Sequence, residues 1–83
     1  MRIVWDEPKR LANIDKHEVD LADVTEEFLN NARLFPAKLG RVAAVGMHRG
    51  HLMTAIVEPL GNEATAVISF RIASRKERRD YWH

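Results

Sequence analysis

The stretch ATAVISFRIASRKERRDY, residues 64–81, decides the fold because it joins a strand pattern directly to a helix start. Apolar side chains occupy every even position of its first half, which predicts a strand with one core face. These positions are Ala64, Ala66, Ile68, Phe70 and Ile72. The odd positions are mixed and include Ser69 and Arg71. We therefore expect Arg71 to project from the face of the sheet opposite Phe70.

The segment Ser74-Arg75-Lys76-Glu77 that follows fits a capping box. In this motif the serine hydroxyl accepts a hydrogen bond from the backbone N–H of Glu77, and the Glu77 carboxylate accepts one from the N–H of Ser74. A basic helix is therefore predicted to begin at about residue 75. Capping is the simplest role for Glu77.

The length and composition of the chain limit what it can be. Its 83 residues have room for one domain, 1–83, with a small core. The chain has no cysteine, which is typical of proteins in a reducing cytoplasm. No apolar run approaches the ~20 residues of a membrane span. We expect a soluble, cytoplasmic protein with no membrane partner.

Charge is distributed unevenly although the net charge is only +1. Residues 1–27 contain eight acidic and four basic side chains, whereas residues 33–83 contain nine basic and four acidic ones. A chain of this kind can present a basic face to an anionic partner. The alternative interpretation is an ordinary solvated surface, and the sequence leaves both open.

Helix signals dominate the first part of the chain. Asp6-Glu7-Pro8 is typical of a helix start, and Lys16-His17-Glu18 is expected to end that helix. A second helix is predicted to begin with Asp20 as its N-cap and to end at Asn30-Asn31.

Strand signals follow. Short strands are predicted at 33–36, 41–47 and 52–58, with a hairpin turn at residues 48–51 and another turn at 59–62. Together with residues 64–73 they give a meander of three or four antiparallel strands. The predicted fold class is α+β: two N-terminal helices, a small antiparallel sheet and a C-terminal helix, with the helices packed on one face of the sheet.

Two groups of residues resemble the BrnT family of toxins from type II toxin–antitoxin pairs. The first group is Trp5-Asp6-Glu7-Pro8-Lys9, Asn13 and Lys16-His17, and the second is Ile68-Ser69, Arg71, Ala73, Glu77-Arg78 and Tyr81. The resemblance implies a RelE-like fold and a ribonuclease activity that stops translation. It also implies a BrnA-like antitoxin that binds operator DNA and forms a hetero-oligomer with the toxin.

The chain departs from the family pattern at three places. Glu18 follows the histidine where the family usually has glycine. Leu39-Gly40-Arg41 keeps the family arginine but lacks the glutamate that often precedes it, and Val57-Glu58 stands where many relatives have Tyr-Thr. If the missing glutamate helps catalysis in relatives, this chain is slower or uses another group.

A ribonuclease that works without metal needs a base for the 2′-hydroxyl, cations for the charge on phosphorus and an acid for the 5′-oxygen. Arg71 and Arg41 suit the cation role, because a guanidinium pairs two phosphate oxygens at once. Surface salt bridges, for instance to Glu58, are the alternative. His17 suits proton transfer but stands where a histidine often caps a helix. The remaining candidates for RNA binding are Lys16, Ser69 and Arg75.

No cofactor is expected, and no metal site is predicted. His48 and His51 lie in a predicted turn without a cysteine or nearby carboxylate to complete a metal shell. Two functions therefore remain: an endoribonuclease toxin, or a non-catalytic, toxin-like module that binds an antitoxin and acts as a co-repressor. Direct DNA binding is weaker, since no helix-turn-helix or ribbon signature appears.

Overall fold

The computed structural model describes all 83 residues, Met1–His83, as a five-stranded sheet with helices on both faces. The strands are β1 (Arg2–Val4), β2 (Arg33–Pro36), β3 (Val42–His48), β4 (His51–Leu60) and β5 (Ala64–Ile72). The helices are α1 (Glu7–His17), α2 (Glu26–Asn31) and α3 (Arg75–Tyr81), with 3-10 turns at Leu21–Asp23 and Lys38–Gly40. No helix is long and apolar enough to cross a membrane.

The sheet confirms the predicted α+β class and contains the predicted meander, since β2 to β5 pair antiparallel in sequence order. The description of the whole sheet as a small antiparallel meander is wrong, because β1 adds a fifth strand parallel to β5. Parallel neighbours require a crossover, which no local turn signal reveals. The RelE-like detail stays a prediction.

The second predicted helix is broken into two pieces. Asp20 caps the 3-10 turn through the N–H of Ala22, and the chain then becomes extended at Val24 and Thr25. The Thr25 hydroxyl accepts from the N–H of Phe28 and starts α2 anew. A second N-cap inside the predicted helix therefore overrides its apolar pattern.

Strand β5 contains a bulge that shifts its faces. Ile56 and Val57 are consecutive in β4, but they pair with Ser69 and Val67, so Ile68 is an extra residue. The prediction that all even positions face the core is therefore wrong before the bulge, where Val67 is fully buried. It is right at Phe70, and Arg71 lies on the opposite face as expected.

The two faces of the sheet carry different helices. Leu21, Val24 and Phe28 pack with Phe70 and Val67 in the main core, below α1 and α2. On the other face a smaller cluster of Val45, Leu52 and Ala73 packs against Tyr81 of α3. The prediction that the helices share one face is therefore wrong for α3. This short helix covers only part of its face.

Asn13 ties α1 to the free edge of β5. Its amide nitrogen donates to the carbonyl oxygens of Phe70, at 2.9 Å, and Val19, at 2.8 Å. Its side-chain oxygen accepts from the N–H of Phe70 at 3.2 Å. The amide therefore serves both backbone groups of Phe70, as a neighbouring strand would. Without it these buried groups would have no partner.

We predict that Asn13→Ala lowers the free energy of unfolding by about 2–4 kcal/mol, because it leaves buried backbone groups of Phe70 unpaired. Urea denaturation measures the loss. Asn31→Ala is the matched control, since that exposed amide donates one hydrogen bond to Glu27 and should change stability by less than about 0.5 kcal/mol. Equal small effects of the two substitutions would contradict the assignment.

Candidate functional site

A cavity of about 410 Å³ opens on the face of the sheet that α3 covers in part. Arg41 and Arg71, the two predicted phosphate-binding cations, both line it. The other lining residues are Pro36, Ala37, Lys38, Ala43, Ile56 and Glu77. The fold therefore brings together two arginines that are far apart in sequence, as a site for an anion requires.

Arg71 faces the cavity in a two-pronged ion pair with Glu77. Its Nη1 lies 2.7 Å from Oε1 of Glu77 and its Nη2 lies 2.9 Å from Oε2. The Glu77 carboxylate also accepts from the hydroxyl of Thr54 and the N–H of Ser74, each at 2.8 Å. The capping box is confirmed, and the same carboxylate in addition joins α3 to β4 and β5.

The ion pair keeps both groups charged. Partial burial of the Glu77 carboxyl acts to raise its pKa, but the hydrogen bonds from Arg71, Ser74 and Thr54 outweigh it and lower the pKa to about 2. The hydrogen bond to Glu77 in turn raises the pKa of the Arg71 guanidinium. Only 20% of the Glu77 side chain is exposed, so solvent screens the pair incompletely.

Arg41 enters the cavity from the residue before β3. Its Nε donates to the carboxylate of Glu58 at 3.2 Å, which is the salt bridge that the sequence offered as an alternative for an arginine here. Lys38, in the 3-10 turn that precedes Arg41, makes no ion pair. Of the three cations in the cavity, one therefore has no carboxylate partner.

Other predicted site residues lie at a second cavity of about 210 Å³, beside the free edge of β5. Lys16, His17 and Ser69 line it together with Lys9 and Asn13. The half-buried His17 ends α1, but its side chain makes no capping hydrogen bond. The Ser69 hydroxyl lies 3.5 Å from the side-chain oxygen of Asn13. The predicted site is thus divided between two cavities.

A row of paired residues joins the two cavities across the sheet. Ser69 pairs with Ile56, and Ile56 pairs with Ala43. Ser69 lines the second cavity, whereas Ile56 and Ala43 line the first. An extended ligand that crosses this row touches both. Arg75 lies exposed at the start of α3 and lines neither cavity.

The sequence missed three groups at the first cavity. Thr54 and Lys38 carried no motif, and Glu77 was assigned to the cap alone. Strand alternation could have placed Thr54 beside Arg71, because the two residues pair directly across β4 and β5. That inference needs the register, which the bulge at Ile68 shifts by one residue.

The hairpin histidines lie elsewhere. His48 packs its ring edge-to-face against Phe28 and Phe70, with its Nε2 3.9 Å from a carboxylate oxygen of Asp23. Together with His51 it lines a separate cavity on the side of α1. No group of three or more His, Asp or Glu side chains is placed to hold a metal ion.

Comparisons with known proteins agree on one relationship. The family described as "Ribonuclease toxin, BrnT, of type II toxin-antitoxin system" matches residues 5–77. A similar solved structure, the 1.1 Å crystal structure of the Brucella abortus ribonuclease toxin BrnT, is 47% identical. The match covers 90% of this chain and 99% of that chain, with a TM-score of 0.83. No curated protein matches the sequence.

We predict that the ion pair between Arg71 and Glu77 makes the free energy of unfolding fall at acid pH. An unfolded glutamate has a pKa of about 4.3, whereas the pKa of Glu77 in the fold is about 2. The stabilisation is therefore present above the unfolded pKa and is lost as the pH falls from about 5 toward 2. Glu77→Gln should show a smaller fall in unfolding free energy between pH 7 and pH 3 than the unchanged chain.

Arg71→Ala provides the control, because it removes the main partner of the same carboxylate. The two substitutions together should reduce the pH dependence by less than the sum of their separate effects. Additive effects, or an unchanged pH dependence in Glu77→Gln, would show that the pair does not act as a unit. Urea denaturation at each pH gives the required values.

Proposed function

We infer the function from family membership, because the chain belongs to the BrnT family of ribonuclease toxins of type II toxin–antitoxin systems. We propose that it is an endoribonuclease of the cytoplasm. In this proposal it cuts RNA without a metal ion and so inhibits translation. The observation that supports the cleavage site is the convergence of Arg41 and Arg71 on one cavity. Each guanidinium offers two parallel N–H donors to a phosphate.

The arginines would supply the charge that the reaction needs. Attack by a 2′-hydroxyl puts extra negative charge on the oxygens around phosphorus, and fixed cations stabilise that charge. The unpaired Lys38 adds a third cation at the same cavity. A phosphate at this place would therefore meet positive groups on several sides.

The second cavity supports a binding role for the other predicted residues. Lys16 and Ser69 would contact the RNA backbone beside the edge of β5, and the row through Ile56 leads from there to Arg71. His17 lines the second cavity as well, where it would exchange a proton with the RNA. Arg75, exposed at the start of α3, would hold the backbone farther out.

One observation favours the second candidate function, a non-catalytic module that binds an antitoxin and acts as co-repressor. Both arginines of the cavity are already paired with carboxylates, Arg71 with Glu77 and Arg41 with Glu58. Paired guanidinium groups attract a phosphate less strongly than free ones. If the pairs do not open, the cavity would not hold RNA.

The proposed protein partner is a BrnA-like antitoxin that binds DNA and neutralises the toxin. Membership of a type II toxin–antitoxin family supports a protein antitoxin. Large apolar side chains are also left in contact with solvent, among them Leu39, 84% exposed, and Trp82, 67% exposed. A partner that covers such side chains would gain hydrophobic free energy.

We predict that Arg71→Ala and Arg71→Lys both relieve growth arrest and slow RNA cleavage by ~10²–10³. Lysine keeps the charge but loses the planar fork, so it should not restore activity. Cleavage is measured on purified bulk bacterial RNA and toxicity by induced expression.

Arg79→Ala is the matched control, since Arg79 is an exposed arginine of α3 that lines neither cavity. It should retain both activities. Full toxicity of Arg71→Ala would refute the assignment of Arg71. If the unchanged chain neither arrests growth nor cuts RNA, the co-repressor function is the correct one.

We predict that the chain co-elutes with the product of the adjacent reading frame after co-expression, because the family pairs each toxin with an antitoxin. Size-exclusion chromatography at micromolar concentration reports the complex. Arg71→Ala should co-elute equally well, since that change removes a proposed catalytic group and not the partner. Elution of the chain alone would contradict the partnership.

A further inference from the structure

We call the cavity that Arg41 and Arg71 line the arginine cavity. The Glu77 carboxylate is the only carboxylate that lines it. Its two oxygens are held unequally. Oε1 accepts from the N–H of Ser74, the hydroxyl of Thr54 and Nη1 of Arg71. Oε2 accepts from Nη2 of Arg71 alone. The two Nη groups of Arg71 form a fork that donates to both carboxylate oxygens. A ligand that binds this fork in place of Glu77 therefore frees Oε2, while Oε1 stays fixed by Ser74 and Thr54.

A phosphate of RNA is suited to take that fork. It offers two non-bridging oxygens that can accept from both Nη groups of Arg71, and Arg41 and Lys38 add attraction from the same cavity. Once the fork has turned to the phosphate, the freed carboxylate oxygen stands beside the nucleotide that Arg71 holds. This is where the proton of an adjacent 2′-hydroxyl has to be removed.

We propose that Glu77 is the general base of RNA cleavage and that Arg71 keeps it masked until a phosphate occupies the guanidinium. This assignment rests on the ribonuclease activity proposed above. Glu77 is thus a catalytic residue as well as a cap. Ser74 and Thr54 are positioning residues, because they hold Oε1 while Oε2 accepts the proton.

Cleavage begins with the transfer of a proton to Glu77. Oε2 of Glu77 takes the proton of the 2′-hydroxyl, and the 2′-oxygen forms a bond to phosphorus. The bond from phosphorus to the 5′-oxygen breaks, and a solvent water protonates that oxygen. Glu77 then returns its proton to the solvent. The products are a 2′,3′-cyclic phosphate and a 5′-hydroxyl end.

The electrostatics of the site support the masking. In the free protein the pKa of Glu77 is lowered to about 2, although burial acts to raise it. When a phosphate takes Arg71, the chief lowering contact is lost and the burial remains, so the pKa of Glu77 rises. A carboxylate with a higher pKa is a stronger base. The base is therefore activated by the substrate itself.

The other groups near the site are less suited to this role. Glu58 is 42% exposed and does not line the cavity, and His17 lines the neighbouring one. Glu77 is therefore the carboxylate that both lines this cavity and contacts Arg71.

The test compares Glu77→Gln with the unchanged chain on an oligoribonucleotide that contains a cleavage site mapped in bulk bacterial RNA. Glutamine keeps the shape but cannot take the proton, so kcat should fall by ~10²–10⁴. In the unchanged chain the acidic limb of kcat should lie at higher pH than that of kcat/KM, because kcat reports the substrate complex. Glu77→Gln should lose this limb.

Binding separates a base from a purely structural group. The all-deoxy version of the same oligonucleotide has no 2′-hydroxyl and cannot be cut. Glu77→Gln should bind it at least as tightly as the unchanged chain does, because Arg71 no longer has an ionised competitor. A structural role would weaken binding and cleavage together. Asp80→Asn, which removes an exposed carboxylate of α3 paired with Lys76, is the matched control and should match the unchanged chain.

Each outcome decides between the proposals. If the unchanged chain cuts the RNA and Glu77→Gln cuts it within threefold at the same pH optimum, the base assignment is refuted and the ribonuclease stands. If the unchanged chain cuts no RNA, the ribonuclease proposal itself fails. Should Glu77→Gln not fold, Glu77→Ala replaces it: a folded Glu77→Ala chain with unaltered kcat would also refute the assignment.

Discussion

The fork between Arg71 and Glu77 is the interaction on which the shape of the cavity depends. It joins β5 to α3, and through Thr54 the same carboxylate reaches β4. Helix α3 has seven residues, too few to be stable in isolation. Its apolar contacts are few, such as that of Tyr81 with the small cluster. Glu77 holds the first turn of the helix, and Arg33 donates to the carbonyl oxygens of Asp80 and Tyr81 at the C-terminal end. Polar contacts at both ends therefore hold the helix in place.

This arrangement sets stability against function at one pair of residues. A closed fork strengthens the attachment of α3 and lowers the affinity of Arg71 for other anions. An open fork presents the guanidinium to a phosphate and leaves a partly buried carboxylate without its strongest partner. The free-energy gain from binding must exceed the cost of opening, which favours ligands with several phosphates over a single small anion. The two cavities, which the row of Ser69, Ile56 and Ala43 joins, suit such an extended ligand.

Local signals in the sequence predicted the elements that depend on neighbours in the chain. The capping box at Ser74, the end of α1 and the hairpin turn through Arg49 and Gly50 are of this kind, and both turn residues adopt the positive φ of such a turn. Pairings between distant residues were not predictable. The parallel partner of β1, the extra residue Ile68 and the contacts of Glu77 all depend on which strands become neighbours. The cations Arg41 and Arg71 were accordingly predicted without the Glu77 carboxylate that pairs with Arg71.

The departure at Glu18 has a physical counterpart, because this residue ends α1 in the left-handed conformation, with a φ of 59°. Leu39 also adopts the left-handed conformation, with a φ of 60°. Side chains cost conformational energy at such positions and glycine does not. The chain therefore carries local strain beside Lys38, which lines the first cavity, and beside His17, which lines the second.

The pairing of β1 with β5 also has a consequence for biosynthesis. Arg2–Val4 emerge from the ribosome early, but their partners Ala64–Ala66 follow only after β2, β3 and β4 have been made. Glu77, which completes the arginine cavity, comes later still. Contacts between such distant segments cannot form while the chain is partly synthesised. A nascent chain that ends before Glu77 thus lacks a complete cavity. For a protein proposed to cut RNA, this topology means that the cavity forms only after most of the chain has been translated.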